Sequence, residues 1–195
     1  LPAGAPLVIS VTMLGEPLAA SGPVRRIGAA AGDILAVTGT IGDAGLGLAV
    51  ATGALSVDVD ANEALLWAYR LPEPPLGLVR AIATHASAAM DVSDGLLADA
   101  GHLARASNVD IRILLERVPL SDAARASLAT AGDDYQILFT ASEERIAAIV
   151  TAAELSGIQV TLIGSCEPAG GQGAVHVDYK KKPVRVERPG YNHFS

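Results

Sequence analysis

The sequence has 195 residues, 50% of them hydrophobic and 18% charged, and a formal net charge of −7. This composition is typical of a folded domain, and the acidic charge argues against broad nucleic-acid binding. Phosphorylated ligands are not excluded, because an acidic protein can hold them through divalent cations. No apolar segment reaches the roughly 18 to 20 residues that cross a bilayer, and no secretion signal opens the sequence, so we expect no membrane partner.

The single cysteine, Cys166, excludes an internal disulfide framework and a multi-cysteine zinc site. A reducing, cytoplasmic location is therefore the natural interpretation. Basic residues concentrate near the carboxyl terminus, at Lys180, Lys181, Lys182, Arg185 and Arg188. They form either a solvated tail or a basic wall near an anionic ligand.

Strands and helices interleave along the whole chain. Period-2 alternation or short apolar runs predict strands over 7–13, 32–39, 87–91, 109–115, 134–141, 158–164 and 174–179. Helical patterns follow over 40–55, 61–71, 76–86, from 94 onward, 121–129 and 142–157. The class is a layered α/β or α+β domain. We expect one compact domain over 20–195, with 1–19 as the last strand of another domain and a connector.

The glycine-rich segment from Gly39 to Gly47 invites comparison with a phosphate-binding loop. No Lys-Ser or Lys-Thr pair follows it, and its spacing is not GxGxxG. A tight turn with close helix packing is the favoured interpretation. The amino end of a helix that begins in this segment would still be able to face a ligand.

The stretch MDVSDGL (90–96) places Asp91, Ser93 and Asp94 where a predicted strand becomes a helix. Helix capping explains such residues in part, because Ser and Asp are preferred caps and acids suit the first helical turn. Two acids and a hydroxyl exceed the needs of one cap, however. The junction of strand and helix is also where such folds bind ligands, and paired carboxylates can share Mg²⁺ that carries phosphates.

Three further motifs are candidates, each with a simpler alternative. GDDY (132–135) is a second acidic turn, which an Asx-type turn would also explain. Arg25 and Arg26 precede a small-residue turn; they are either surface arginines or a fork for phosphate oxygens. Tyr191, in the terminal GYNHF, either docks onto the core or stacks on a ring-shaped ligand.

Taken together and in order, RIGAAAGD (26–33), VTGTIGD (37–43), MDVSDGL, GDDY and GYNHF resemble the carboxy-terminal part of the thiamine-monophosphate kinase family. The resemblance runs from ISVTMLG (9–15) almost to the end of the chain. It implies the carboxy-terminal domain of the aminoimidazole ribonucleotide synthetase-like fold, an α+β domain in which helices pack on a layered, mixed β-sheet. The implied activity is the ATP-dependent phosphorylation of thiamine monophosphate to thiamine diphosphate.

The resemblance also implies roles for individual residues. Asp91 and Asp94 match the magnesium-binding acids of the family, and Ser93 and Arg26 match its ATP contacts. Asp133 matches an acidic position that contacts substrate, and Tyr191 matches the terminal aromatic residue that binds the thiamine ligand. Mg²⁺ is the implied cofactor, and ATP and thiamine monophosphate are the implied ligands. No general base is required, because a phosphate monoester oxygen is already an anionic nucleophile.

The sequence departs from the family pattern at several positions. Ala131 replaces the first glycine of the acidic turn, and Asp133 is one methylene shorter than the usual glutamate. Gln136 stands where a glutamate is common, and Leu76 where arginine is frequent. The family also carries an upstream domain with further metal ligands and the strands that form a homodimer. We therefore expect this chain to be a carboxy-terminal fragment, monomeric and inactive alone.

Two alternatives remain open at this point. One keeps the superfamily and changes the reaction to that of another ATP-dependent synthetase or maturation enzyme; GYNHF and the AGDDY turn favour the kinase. The other is a non-catalytic nucleotide-binding or interaction module. An upstream reading frame with an aspartate-rich half would favour the enzyme.

Overall fold

The computed structural model describes residues 9–120, 132–186 and 190. Within them the chain forms a sheet of seven strands in the order β2-β4-β1-β5-β3-β6-β7. The strands are β1 (Ile34–Thr38), β2 (Ala88–Asp91), β3 (Val109–Leu114), β4 (Ile137–Ala141), β5 (Val160–Pro168), β6 (Val175–Tyr179) and β7 (Lys182–Pro183). Neighbouring strands are antiparallel except β3 and β6, which pair in parallel. The mixed sheet of the predicted fold class is therefore confirmed.

Five α-helices connect or cover the strands in the described part of the chain. They are α1 (Asp43–Ala51), α2 (Val59–Arg70), α3 (Val79–His85), α4 (Leu96–Ser107) and α5 (Glu143–Ser156). Short 3-10 turns lie before α3 and after β3. None of these helices combines the length and the apolar character that crossing a membrane requires.

Helices pack on both faces of the sheet because successive strand residues point to opposite sides. Leu35 and Val37 of β1 belong to a buried cluster with Leu96, Leu103 and other residues of α4. The residue between them, Ala36, belongs to a second cluster built with α3 and α5. Each fully buried large side chain contributes about 1.5 to 3 kcal/mol of transfer free energy. The two clusters thus hold β2 and β4 in place. The candidate site lies where β2 ends and β4 begins.

The glycine-rich segment forms a tight turn and a helix contact, as the favoured interpretation proposed. Gly42 has a φ of 95°, in the left-handed region, and directly precedes α1. A Cβ at Gly47 would overlap the carbonyl oxygen of Leu65, so α1 approaches α2 closely at this glycine. Helix packing therefore accounts for Gly47 without a phosphate ligand.

Some predicted boundaries differ from the structure. Residues 9–13, the described part of the predicted strand 7–13, form no strand, and Ile9, Val11 and Met13 are exposed. The assignment of 1–19 to another domain stays a prediction. The helix predicted over 121–129 lies outside the described residues. The sheet also gains β7, and β5 runs past its predicted end at 164 to Pro168.

The strand predicted over 134–141 begins only at Ile137. Asp133 and Tyr135 adopt positive φ angles of 68° and 52°, which no β-strand accommodates. The acidic motif is therefore a turn that precedes the strand. Its side chains do not follow the alternation of the sheet.

Candidate functional site

The MDVSDGL motif forms the junction between β2 and α4. Asp91 is the last residue of β2 and is exposed, whereas Ser93 and Asp94 are half-buried. Gly95 has a φ of 111° and turns the chain into α4. The N–H of Val92 donates to the carbonyl of Gln136 at 2.8 Å, which ties this junction to the segment before β4.

The carboxylate of Asp99 holds the junction from within α4. Its Oδ2 accepts hydrogen bonds from the N–H groups of Ser93 and Asp94, each at 3.0 Å. Asp99 is only 1% exposed, and burial raises its pKa above the ordinary value while the two N–H donors act in the opposite direction. Sequence reasoning missed this residue. The available signal was an acid in the first turn of a helix that directly follows an acidic loop.

The N-cap position of α4 is occupied by Gly95, which has no side chain, so neither acid of the motif stands at that position. Asp94 lies near His102, with 4.0 Å between its Oδ2 and the imidazole Nε2. Carboxylate oxygens of Asp94 and Asp99 and a ring nitrogen of His102 all lie within 4.8 Å of one another. The turn thus offers acidic oxygen atoms at its surface.

The second acidic turn, 132–135, is hydrogen-bonded to the first. The N–H of Asp133 donates to the carbonyl of Ser93 at 3.0 Å, and the N–H of Tyr135 donates to the carbonyl of Val92 at 2.9 Å. Gly132 permits this approach, because a Cβ there would overlap the Ser93 carbonyl oxygen. Two motifs about forty residues apart in the chain therefore form one acidic surface.

Charge within this surface is concentrated enough to affect Tyr135. The pKa of its phenol is raised, first by burial and then by the carboxylates of Asp133, Asp91 and Asp94. All three carboxylates act on one hydroxyl group, so they lie in the same neighbourhood. Three of the predicted site residues are thus brought together by the fold.

Asp134 points to the other side of the turn. It is 7% exposed, and its carboxylate accepts hydrogen bonds from the N–H of Gly42 at 2.9 and 3.0 Å and from the N–H of Ala44 at 3.3 Å. Burial raises its pKa to about 7, against the smaller opposite effect of these donors. The carboxylate thereby caps the amino end of α1 from a distant part of the chain. This function was not foreseen, although Asp134 stands beside a predicted residue.

Gln136 has a structural role at its position. Its Oε1 accepts a hydrogen bond from the Thr38 hydroxyl at 2.8 Å, and that hydroxyl accepts one from the N–H of Ile137 at 2.8 Å. Gln136 and Thr38 therefore hold the start of β4 at Ile137 through these two hydrogen bonds. Leu76, another departure, is 71% exposed in the 3-10 turn before α3. Ala131 lies outside the described residues.

Arg26 is not joined to the acidic surface by any contact in the described part of the chain. Its carbonyl accepts a hydrogen bond from the hydroxyl of Ser107, the last residue of α4, at 3.2 Å. The carbonyl of the preceding residue, Arg25, accepts a hydrogen bond at 3.0 Å from the N–H of Ala89 in β2, two residues before Asp91. The exposed guanidinium is free to meet a ligand, and its role in ATP binding stays a prediction.

Tyr191 lies outside the described residues. Gly190, directly before it, packs on the acidic turn: a Cβ at Gly190 would overlap the carbonyl oxygen of Asp94 and the side chain of Ala98. The start of the terminal GYNHF motif is therefore located beside Asp94. The substrate contact predicted for Tyr191 stays a prediction.

Two cavities flank the acidic turns. One, of about 390 Å³, lies along β2 and is lined mainly by apolar side chains, with Asp91 and Tyr135 among its lining residues. The other, of about 180 Å³, lies between the acidic turn and α2 and is lined by Asp134 and Trp67, among others. The wall of each cavity thus includes a residue of the acidic turn 132–135.

Comparison with known proteins identifies the family of this chain. The family model described as AIR synthase related protein, C-terminal domain, matches residues 30–173. The thiamine-monophosphate kinase of Caulobacter vibrioides is 43% identical over 201 residues, which cover 96% of this chain and 55% of that protein. This chain spans about half the length of the curated relatives it matches.

Solved structures share the fold. A complex of AaThiL with AMPPCP and TMP superimposes with a TM-score of 0.70 at 35% identity, covering 88% of this chain and 54% of that one. HypE of Escherichia coli, a hydrogenase maturation protein, has a TM-score of 0.68 at 16% identity, with 89% of this chain and 55% of that one covered. The second likeness concerns the fold alone.

Proposed function

The chain belongs to the family of AIR synthase related proteins, whose C-terminal domain model it matches, and we propose that it serves the ATP-dependent phosphorylation of thiamine monophosphate to thiamine diphosphate. The observation that carries this proposal is the joining of two acidic turns into one surface, through hydrogen bonds from Asp133 and Tyr135 to the carbonyls of Ser93 and Val92. Such a surface suits phosphate groups that arrive with divalent cations. The 43% identity to a thiamine-monophosphate kinase supports the choice of reaction.

The donor set fits Mg²⁺. Asp91 and Asp94 offer carboxylate oxygens at the mouth of the β2–α4 junction, and hard oxygen ligands are those that Mg²⁺ prefers. When bound, Mg²⁺ neutralises phosphate charge and reduces the repulsion between the two phosphorylated ligands. Asp99 keeps the backbone of the junction in position, so that both carboxylates are presented from a rigid turn.

ATP is the proposed phosphoryl donor, with Arg26 and Ser93 as its contacts. Support comes from the related AaThiL complex, since AMPPCP is an analogue of ATP. Arg26 is exposed and bears a planar guanidinium that matches phosphate geometry. Ser93 lies between the two acidic residues of the turn, where its backbone is fixed by Asp99.

Thiamine monophosphate is the proposed acceptor, with Asp133 and Tyr191 as its contacts. The TMP in the AaThiL complex supports this assignment. Asp133 is exposed, and its backbone is held against Ser93, so its carboxylate projects from a fixed point of the acidic surface. The chain supplies positioning and charge rather than a general base, because the acceptor oxygen is already an anion.

Two other functions remain as alternatives. One is another ATP-dependent reaction of the superfamily on the same fold, a fold that the hydrogenase maturation protein HypE also has. A non-catalytic nucleotide-binding module would keep the surface without turnover. The relatives named thiamine-monophosphate kinase favour the phosphorylation of thiamine monophosphate over both alternatives.

The remaining parts of the proposal concern setting and assembly. The buried free thiol of Cys166 requires no oxidising compartment, and with ATP as the donor we place the protein in the cytoplasm. The net charge of −7 supports ligands other than nucleic acid. A homodimer built through an upstream domain is also part of the proposal, on the ground of the family resemblance.

The test is the chromatographic detection of thiamine diphosphate. The full-length product of the encoding gene is incubated with thiamine monophosphate, ATP and Mg²⁺. We expect diphosphate to form in proportion to enzyme, and to be lost when ATP is omitted. A folded protein that makes no diphosphate would assign the fold to another reaction of the superfamily.

A further inference from the structure

The hydroxyl group of Ser107 is fully engaged by the loop 26–29, which carries Arg26. Ser107 is the last residue of α4, and its Oγ accepts hydrogen bonds from the N–H groups of Gly28 and Ala29, each at 3.2 Å. The same hydroxyl donates to the carbonyl of Arg26 at 3.2 Å. A serine hydroxyl has one proton to donate and two lone pairs that accept, so these three bonds use its whole capacity. Its partners lie 78 to 81 positions away in the chain, so only the tertiary structure brings them together.

Side-chain packing holds this loop weakly. Arg26, Ile27 and Gly28 are exposed, Ile27 to 51%, and Ala29 is the buried residue of the four. A single methyl group removes little apolar surface from water. The hydrogen bonds of the Ser107 hydroxyl therefore contribute much of what determines where the backbone of Arg26 lies.

The loop is also held against the strand that leads to the acidic surface. The carbonyl of Arg25, directly before the loop, accepts a hydrogen bond at 3.0 Å from the N–H of Ala89 in β2. A Cβ at Gly28 would overlap the carbonyl oxygen of Ser87, the residue before β2. Asp91 follows Ala89 by two residues, which corresponds to about 7 Å along a strand. The loop is thus held between the end of α4 and the strand that ends at Asp91.

We propose that Ser107 is a positioning residue for nucleotide binding, which acts through Arg26 by fixing the backbone from which the guanidinium extends. The inference rests on the proposed function, because that function assigns Arg26 to ATP. A guanidinium makes two parallel bonds to phosphate oxygens only when its planar fork is correctly oriented. A backbone that is already ordered before binding also lowers the entropic cost of making those bonds. Ser107 thereby favours nucleotide binding without touching the nucleotide.

The experiment is a calorimetric titration of the full-length gene product with AMPPCP in the presence of Mg²⁺. Arg26→Ala should weaken binding about tenfold, because charge-assisted bonds to phosphate are lost. Ser107→Ala should weaken it about fivefold, the factor that corresponds to one ordinary hydrogen bond. Ser107→Thr keeps the hydroxyl group and should restore the affinity to within about twofold of the wild type.

Ser156→Ala is the matched control. Ser156 is also the last residue of a helix, α5, but its hydroxyl donates to the carbonyls of Ala152 at 2.7 Å and Ala153 at 3.2 Å within that helix. Its substitution removes the same group at an equivalent position, far from the loop in the chain. The affinity for AMPPCP should therefore stay at the wild-type value.

A double-mutant cycle separates positioning from a general loss of structure. In the Arg26→Ala background, Ser107→Ala should have no further effect on affinity, because the group through which it acts is already absent. A purely structural role would add the same loss in both backgrounds. Ser107→Cys replaces the hydroxyl by a weakly hydrogen-bonding thiol of similar size, so it repeats the test if circular dichroism shows Ser107→Ala to be unfolded.

The outcomes distinguish this inference from the proposed reaction. Unchanged affinity in Ser107→Ala, an equal loss in Ser107→Thr, or the same additional loss in the Arg26→Ala background would overturn the positioning role. Each of these results is compatible with diphosphate formation, which is measured separately. AMPPCP binding that depends on Ser107 through Arg26, in a protein that forms no diphosphate, would retain the positioning role and reject the reaction. A wild-type protein that does not bind AMPPCP would overturn both the assignment of Arg26 to ATP and the role of Ser107.

Discussion

The backbone N–H of Asp133 donates a hydrogen bond to the carbonyl of Ser93 at 3.0 Å. This bond joins two acidic motifs that are separated in the chain by α4, β3 and the segment after β3. Burial raises the pKa of the Tyr135 phenol, and the carboxylates of Asp133, Asp91 and Asp94 raise it further. Four predictions test how this arrangement is held and what it does.

Gly132→Ala should destabilise the junction between the two turns. A Cβ at this position would overlap the Ser93 carbonyl oxygen, which is backbone and cannot move without breaking the bond to Asp133. Overpacking of this kind costs about 1 to 3 kcal/mol. The free energy of unfolding, measured with a chemical denaturant, should fall by that amount.

Gly171→Ala is the matched control for this substitution. No atom lies within 4 Å of a Cβ built at Gly171, and its φ is not in the left-handed region. Its unfolding free energy should therefore stay within about 0.5 kcal/mol of the wild type. Equal effects of the two substitutions would show that the close approach at Gly132 carries no strain.

Asp99→Ala should loosen the β2–α4 junction. Its loss leaves the N–H groups of Ser93 and Asp94 without their acceptor, and each buried unsatisfied group costs about 1 to 3 kcal/mol. Asp99→Asn keeps one acceptor oxygen and should be milder. Thermal unfolding of both variants, beside the exposed Glu154→Ala, measures the effect. Indistinguishable melting temperatures for all three would contradict the positioning role of Asp99.

Asp94→Asn should affect activity far more than stability. The Asp94 side chain is 30% exposed, so its replacement disturbs little packing. Loss of an oxygen ligand for the cation that neutralises phosphate charge should raise the barrier by about 3 kcal/mol, or roughly a hundredfold in kcat. Diphosphate formation by the full-length gene product measures this, with the exposed Asp60→Asn as control. Full activity of Asp94→Asn would remove Asp94 from the proposed metal site.

Asp134→Asn should alter the pH dependence of stability. The folded-state pKa of about 7 lies above the ordinary 3.8, so the folded protein binds this proton more tightly than the unfolded chain does. The contribution of Asp134 to stability is therefore greatest below pH 3.8 and is lost as the pH rises toward 7. The wild type should lose up to about 4 kcal/mol more than the variant across this window. Parallel stability curves from denaturant unfolding between these pH values would contradict the raised pKa.

Much of the fold was predictable because local patterns agree with it. Leu35 and Val37 alternate with Ala36 between two core clusters, as a period-2 strand requires. The helix α4 follows its apolar spacing, and the acidic junction before it occurs where strand and helix were expected to meet. Such patterns depend on neighbours within a few positions, and the sequence displays those directly.

The predictions failed where a contact from elsewhere decided the local conformation. β4 starts at Ile137 because Asp134 is drawn to the N–H groups of Gly42 and Ala44, while its neighbours adopt positive φ angles. A prediction based on residues 132–141 alone has no information about the N–H groups of Gly42 and Ala44.

The sequence by itself determined most of the described helices and strands, the mixed α+β class and the acidic motifs with their family resemblance. Only the tertiary structure decided that Asp99 and Asp134 hold the two turns, that Gly132 lets them meet, and that Trp67 lies at a cavity beside them. The physical reason is that hydrogen bonds and close contacts depend on distances in space. Residues far apart in the chain reach those distances only after the sheet has assembled.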